Sequence, residues 1–141
     1  MSGPQPNQHD KVYLETAHAS IRWNSEGPWV AVEWKAFANA SEFKTAYEIV
    51  LVAIRENRAT SVLIDVRDAR VIPEEDQRWL IENWIPRAVA AGRRWTAIVM
   101  PKSALVKTIV ENIDKRRNSE MEKVRYFGTP EEAAVWLSGV S

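Results

Sequence analysis

The densest grouping of side chains able to do chemistry is Asp65-Val66-Arg67-Asp68-Ala69-Arg70, continuing through Pro73 to Glu74, Glu75 and Asp76. Carboxylates interleaved with arginines can recognise a charged partner, assist an acid-dependent reaction, or contribute to a magnesium site. Magnesium needs oxygen ligands in near-octahedral geometry, commonly one or two carboxylates with waters and substrate phosphate. Asp65 and Asp68 can converge, but no glycine-rich phosphate loop or lysine motif accompanies them. A magnesium-dependent enzyme is therefore the weakest of the three readings. Salt bridges to neighbouring arginines are the ordinary explanation for most of these charges.

Other routes to catalysis are thinner still. The two histidines are His9, near the chain start, and His18, between two expected strands. A nucleophilic serine needs a base and an oxyanion site, and no Gly-x-Ser-x-Gly occurs. Gly-x-Gly-x-x-Gly and Walker sequences are missing from a chain with five glycines. Without cysteine there is no disulfide framework, thiolate metal site or thiol nucleophile. The expectation is a non-enzymatic domain that needs no cofactor.

Nineteen basic residues balance nineteen acidic ones, which argues against a generic polyanion binder. Arg93-Arg94-Trp95 and Lys115-Arg116-Arg117 could grip phosphates and stack bases. However, Trp95 opens an apolar strand, and the second triplet stands where a helix C-terminus favours cations. Nucleic-acid binding is not expected. Locally, Asp65 to Glu82 holds six acids against three arginines, and Lys102 to Arg125 holds seven bases against four acids. Opposed patches of this kind suit electrostatic steering or self-association, so a homodimer is one expected partner arrangement.

The elements that must carry these residues follow from periodicity. Residues 1–10 contain two prolines and no apolar run, and read as a disordered tail without a signal peptide. No stretch of about 18 apolar residues is present, so no membrane insertion is expected. The chain reads as cytoplasmic. Residues 11–141 form one domain, since a chain of about 150 residues supports a single core.

Val12 and Leu14, then Ile21 and Trp23, alternate as strands do, and Glu26-Gly27-Pro28 turns the chain into Trp29–Trp34. Short connections make these three an antiparallel meander. Asn39 and Glu42 form a capping box before a helix to about Asn57. Val62-Leu63-Ile64 is a strand covered on both faces. Pro73 and the acids after it start a helix that stops at Gly92, with a kink or break at Pro86. A strand over Trp95–Met100, a helix capped by Ser103, a strand over Val124–Phe127 and a helix from Thr129-Pro130 complete the order. The fold class is α/β: a single mixed sheet, meander first, then helical crossovers that pack on it.

That topology places Asp65, Arg67, Asp68, Arg70, Glu74 and Glu75 at the carboxyl end of a central strand, where open α/β sheets usually bind ligands and partners. These six are the expected partner-binding residues. Of seven tryptophans, Trp34, Trp95 and Trp136 are expected in the core. Trp79 and Trp84, five apart, point about 140° from each other on an α-helix and cannot both face one core. One of them, with Trp23 and Trp29, is a candidate for lining a ligand pocket or a dimer surface; the alternative is that a helix lying between the sheet and a neighbouring helix buries both.

Leu63-Ile64-Asp65-Val66-Arg67-Asp68, Glu75-Asp76 with Trp79, Trp84-Ile85-Pro86-Arg87, Ala91-Gly92, Ala97-Ile98-Val99, Phe127, Glu132-Ala133 and Trp136-Leu137 give the chain a resemblance to the STAS and SEC14-like domains. Within that group it looks like small bacterial proteins similar to anti-sigma-factor antagonists. The resemblance implies a regulatory domain that binds a protein partner at the strand end, or a carrier of a small apolar ligand or lipid. Antagonists carry a phosphorylatable Ser or Thr two residues after an aspartate. Here those positions are Arg67 and Arg70, which cannot take phosphate, so no phosphoserine switch is expected at this site.

Overall fold

The computed structural model describes residues 10–117 and 122–140. Its centre is a six-stranded sheet whose strands lie side by side in chain order. Strands β1 (Lys11–Glu15), β2 (Ala19–Asn24) and β3 (Trp29–Trp34) form the antiparallel meander. From β3 onward every neighbour is parallel: β4 (Ser61–Asp65), β5 (Trp95–Val99) and β6 (Lys123–Phe127). Connection length sets the switch, since a turn returns the chain antiparallel and a helix carries it back to the same end. All five residues of β4 are buried, as the unbroken apolar run requires.

Helix α1 (Ala40–Asn57) begins with the expected capping box. Asn39 Oδ1 accepts the Glu42 amide at 2.8 Å, and Glu42 Oε1 accepts the Asn39 amide at 2.9 Å. Helices α4 (Ala104–Arg116) and α5 (Pro130–Val140) are capped by Ser103 and Thr129 through the amides of Val106 and Glu132. α1 and α4 cover one sheet face over the larger core, which holds Ile21, Val30, Val32, Val50, Val62 and Ile64. α5 covers the other face alone, over a smaller core of Trp29, Leu63, Ala97, Val99, Ala133 and Leu137. Gly27 makes the approach to that core possible: a Cβ there would sit 2.0 Å from the Trp29 ring.

The segment around Pro86 is neither a broken helix nor a simple kink. It runs as α2 (Glu74–Trp79), a π-turn (Leu80–Trp84) and α3 (Ile85–Ala90) without interruption. The Ile85 amide donates to the Leu80 carbonyl, five residues back. The wider turn also overturns the expectation that Trp79 and Trp84 cannot share a core, because i and i+5 are brought towards the same side. Trp84 is buried within the larger core, and Trp79 packs against it with its ring 6.3 Å from Phe43.

Other tryptophans depart from expectation in position. Trp29 is a buried core residue of the α5 face that, with Trp23, also borders a surface pocket on that side. Trp95 and Trp136 are half-buried beside that core, edge to face at 6.0 Å. Of the expected tail, residues 1–9 lie outside the described residues, whereas Asp10 Oδ1 accepts from the Ser25 amide and hydroxyl at 2.8 and 2.6 Å. Among the described residues no helix is long and apolar enough to cross a membrane.

Candidate functional site

The six residues assigned from sequence to one binding edge are divided by the sheet. Side chains alternate across a strand, so Ile64 enters the larger core while Asp65 turns to the α5 side. There Asp65 is clasped by Arg67: Nη2 donates at 2.8 Å, Nε at 3.1 and 3.2 Å, and the Arg67 amide at 3.0 Å. That pairing occupies Nε and Nη2 of the Arg67 guanidinium. Asp68 pairs with Lys102 at 3.0 Å and Glu74 with Arg116 at 3.0 Å. The acidic and basic segments therefore meet through two ion pairs, which offset part of the opposed charge expected from counting along the chain. Arg70 and Glu75 are exposed and make no ion pair with the described residues.

On the opposite face a cavity of about 100 Å³ runs between the helices and the sheet. Its walls are Trp34 of β3, Phe43 and Tyr47 of α1, Leu80 and Trp84 of the π-turn, and Val106, Val110 and Ile113 of α4. Ile64, Thr96 and Ile98 of the sheet form its floor. Local sequence explains the space: Phe43 and Tyr47 are one turn apart on α1, and Val106, Val110 and Ile113 line one side of α4. The aromatic rings interlock: Trp34 stacks on Phe43 at 5.5 Å, and Tyr47 meets Trp84 edge-on at 4.7 Å. The indole Nε1 of Trp84 donates to the Tyr47 carbonyl at 2.6 Å, fixing the ring that closes one wall.

The mouth opens at the carboxyl ends of β3 and β4. There the β3–α1 loop contributes Phe37, and the β4–α2 loop contributes Arg70, Val71 and Pro73. Phe37 is 57% exposed and Val71 45%, which is a costly placement for large apolar groups beside an apolar opening. Of the sequence-assigned residues, Arg70 and Trp84 line the cavity, while Trp79, Asp65, Arg67, Asp68, Glu74 and Glu75 do not.

The inner end of the cavity is polar, and nothing in the residue spacing announces it. Arg93, 3% exposed, stands over the Trp84 ring at 5.0 Å and donates from Nη2 to Glu122 Oε1 at 2.9 Å. Glu122 Oε2 is 2.8 Å from Arg93 Nη2 but makes no hydrogen bond. Arg117 Nη1 donates to Glu122 Oε1 at 2.9 Å and its Nε to Asp114, whose other oxygen accepts the Tyr126 hydroxyl at 2.6 Å. Two arginines face two acids, so the cluster is formally neutral. Burial pulls the Arg93 guanidinium down from its usual range, against the attraction of Glu122. Burial and then the Asp114 hydrogen bond push the Tyr126 phenol well up, so it stays a donor. Arg93 Nε and Thr96 Oγ1 are buried without a hydrogen-bond partner.

These positions also answer the nucleic-acid question for two of the basic residues: Arg93 and Arg117 are internal counterions, not phosphate contacts. Histidine 18 lies 3.6 Å from a Glu42 oxygen at the start of α1, away from the cavity lining. Among the described residues no three His, Cys, Asp or Glu side chains are grouped to hold a metal. No protein-family model matches the chain, and none of the curated proteins is similar enough to count as a relative.

Proposed function

We propose that the chain is a non-catalytic binding domain that holds a small apolar molecule in the cavity between α1, the π-turn, α4 and the sheet. The observation that carries this reading is the cavity itself: apolar and aromatic walls, a few polar groups at one end, and a mouth at the strand ends flanked by exposed Phe37 and Val71. Size bounds the occupant. Pockets for drug-sized ligands run to roughly 300–1,000 Å³, whereas a cavity of roughly 150 Å³ accommodates benzene. At about 100 Å³ the space is smaller than that benzene cavity, so it suits a molecule of about four non-hydrogen atoms, or the end of a longer one that reaches into the mouth. The resemblance to SEC14-like carriers supports the chemistry but not a whole lipid. The π-turn in the wall adds support, since single π-turns recur at functional sites.

The test is mass spectrometry of solvent-extracted purified protein, combined with a variant that fills the space. Val110→Trp places an indole where α4 faces the cavity. The expected result is a stoichiometric small molecule in the wild type and its loss from the variant. Repeated absence from the wild type, together with no binding of small aromatic probes, would overturn the reading.

A second reading, a regulatory domain that meets a protein partner at the same rim as in the STAS resemblance, is favoured by Arg70, Val71 and Phe37, all exposed around the mouth. Asp68→Lys with Arg70→Glu is expected to change stability by less than about 1 kcal/mol, because both groups are solvent-exposed. If this reading holds, the double variant loses a complex that the wild type retains in pull-down. An unchanged complex would remove these residues from the interface.

A further inference from the structure

Two of the three orphaned polar atoms at the inner end of the cavity, Arg93 Nε and Thr96 Oγ1, restrict what the occupant can be; the third, Glu122 Oε2, is held in the ion pair with Arg93. Arg93 Nε–H is a donor, and the Thr96 hydroxyl is both donor and acceptor. Each belongs to a residue exposed by 3% or less and lining the cavity, and neither has a partner among the described residues. Buried polar groups are overwhelmingly satisfied in native proteins, and an exception calls for a specific explanation. The arginine has spent its Nη2 on Glu122 rather than presenting its full fork to the carboxylate, which leaves Nε directed elsewhere. Thr96 stands on the sheet floor between buried Val62 and half-buried Val124, and its hydroxyl has no partner among the described residues.

Charge decides the kind of oxygen these donors would receive. Arg93, Arg117, Glu122 and Asp114 already cancel. An anionic head would leave one uncompensated negative charge in a buried site beside Glu122, which is expensive. A cation would face a guanidinium.

Resting on the cavity reading above, we infer that the ligand is a neutral molecule with a single carbonyl or hydroxyl oxygen on a short apolar or aromatic body, its oxygen received by Arg93 Nε and Thr96 Oγ1. The apolar body then lies along Trp84, Tyr47 and Val110 towards the mouth. The class includes small aldehydes, ketones, phenols and alcohols, and excludes carboxylates and pure hydrocarbons as preferred ligands.

Three probes of matched shape separate the possibilities: toluene, benzaldehyde and benzoate, titrated by calorimetry against wild type, Thr96→Val and Thr96→Ser. The expected result is that benzaldehyde binds roughly tenfold more tightly than toluene, the value of one ordinary hydrogen bond, and more tightly than benzoate. Thr96→Val should reduce that advantage to the share supplied by Arg93 Nε–H, and Thr96→Ser should keep it whole. In NMR spectra of the wild type, benzaldehyde should shift the Arg93 Nε–H resonance and toluene should not. If toluene binds as well as benzaldehyde, or Thr96→Val leaves the ratio intact, the oxygen-head inference falls while the cavity reading stands. Tightest binding of benzoate overturns the neutral class. If no probe binds any variant, both readings fall together.

Discussion

Glu122→Gln is expected to lower the stability of the domain by about 3–5 kcal/mol, the range found when one partner of a buried ion pair is removed. The loss falls mainly on Arg93. Arg117 keeps Asp114 when Glu122 is neutralised, but Arg93 has Glu122 as its only ion-pair partner among the described residues and is 3% exposed. What remains for it is the face of the Trp84 ring at 5.0 Å, an interaction worth about 2 kcal/mol when desolvated. Glutamine preserves shape, so no cavity contributes to the change. For a domain of this size the loss corresponds to a fall in melting temperature of roughly 10–20 °C, measurable by calorimetry and by urea denaturation. The companion variant Arg93→Met with Glu122→Leu removes both charges. It should regain most of the loss, since apolar replacement of a whole buried pair is frequently neutral or stabilising. A fall of less than about 1 kcal/mol in Glu122→Gln would show that the Arg93 charge is solvated despite its burial.

Trp84→Ala carries the second large effect, a loss of about 3–5 kcal/mol. Two costs combine. The indole is 1% exposed and contacts Tyr47, so its removal leaves a void that the surrounding helices can only partly close. It also removes the hydrogen bond that the indole nitrogen donates to the Tyr47 carbonyl at 2.6 Å, which ties this wall to α1. The same void should be chemically useful. Added indole is expected to raise the melting temperature of Trp84→Ala and to leave that of the wild type unchanged, because the deleted ring vacates its own shape. At about one hundred times its dissociation constant a ligand returns about 2.7 kcal/mol. Equal response of both proteins to indole would mean that the ring binds in the native cavity and not in the engineered one.

These two variants act on one wall of the same chamber, which is where sequence and structure part company. Caps, turns and strands were legible because each is decided within a few residues. Asn39 and Glu42 fix the start of α1 through two local hydrogen bonds, and the Glu26-Gly27-Pro28 turn sets the meander. The order of parallel strands was legible too, since helical crossovers leave few alternatives. The exception inside a helix is instructive. Pro86 signals a disturbance, but whether a helix bends, breaks or inserts a π-turn depends on what packs against it, here the Trp84 ring under α1 and Arg93.

The expected binding edge was read from position along the chain, and position was half the answer. The strand ends do hold the mouth of the cavity, formed by Phe37, Arg70 and Val71. The charges that drew attention to the segment are absorbed by Arg67, Lys102 and Arg116. Lys102 and Arg116 lie 34 and 42 positions from the acids they neutralise, a distance no local charge count can see.

By itself, then, the sequence determined the α/β class, the meander followed by crossovers, and the placement of the strand ends, because hydrophobic period, caps and connection lengths are short-range properties. The tertiary structure alone decided that Trp79 and Trp84 share a core, that the acidic and basic segments meet through two ion pairs, and that Arg93, Thr96 and Glu122 meet at the inner end of an apolar chamber. Those outcomes depend on which side chains from distant segments are driven into the same volume, and burial is what turns an ordinary arginine and threonine into candidates for binding.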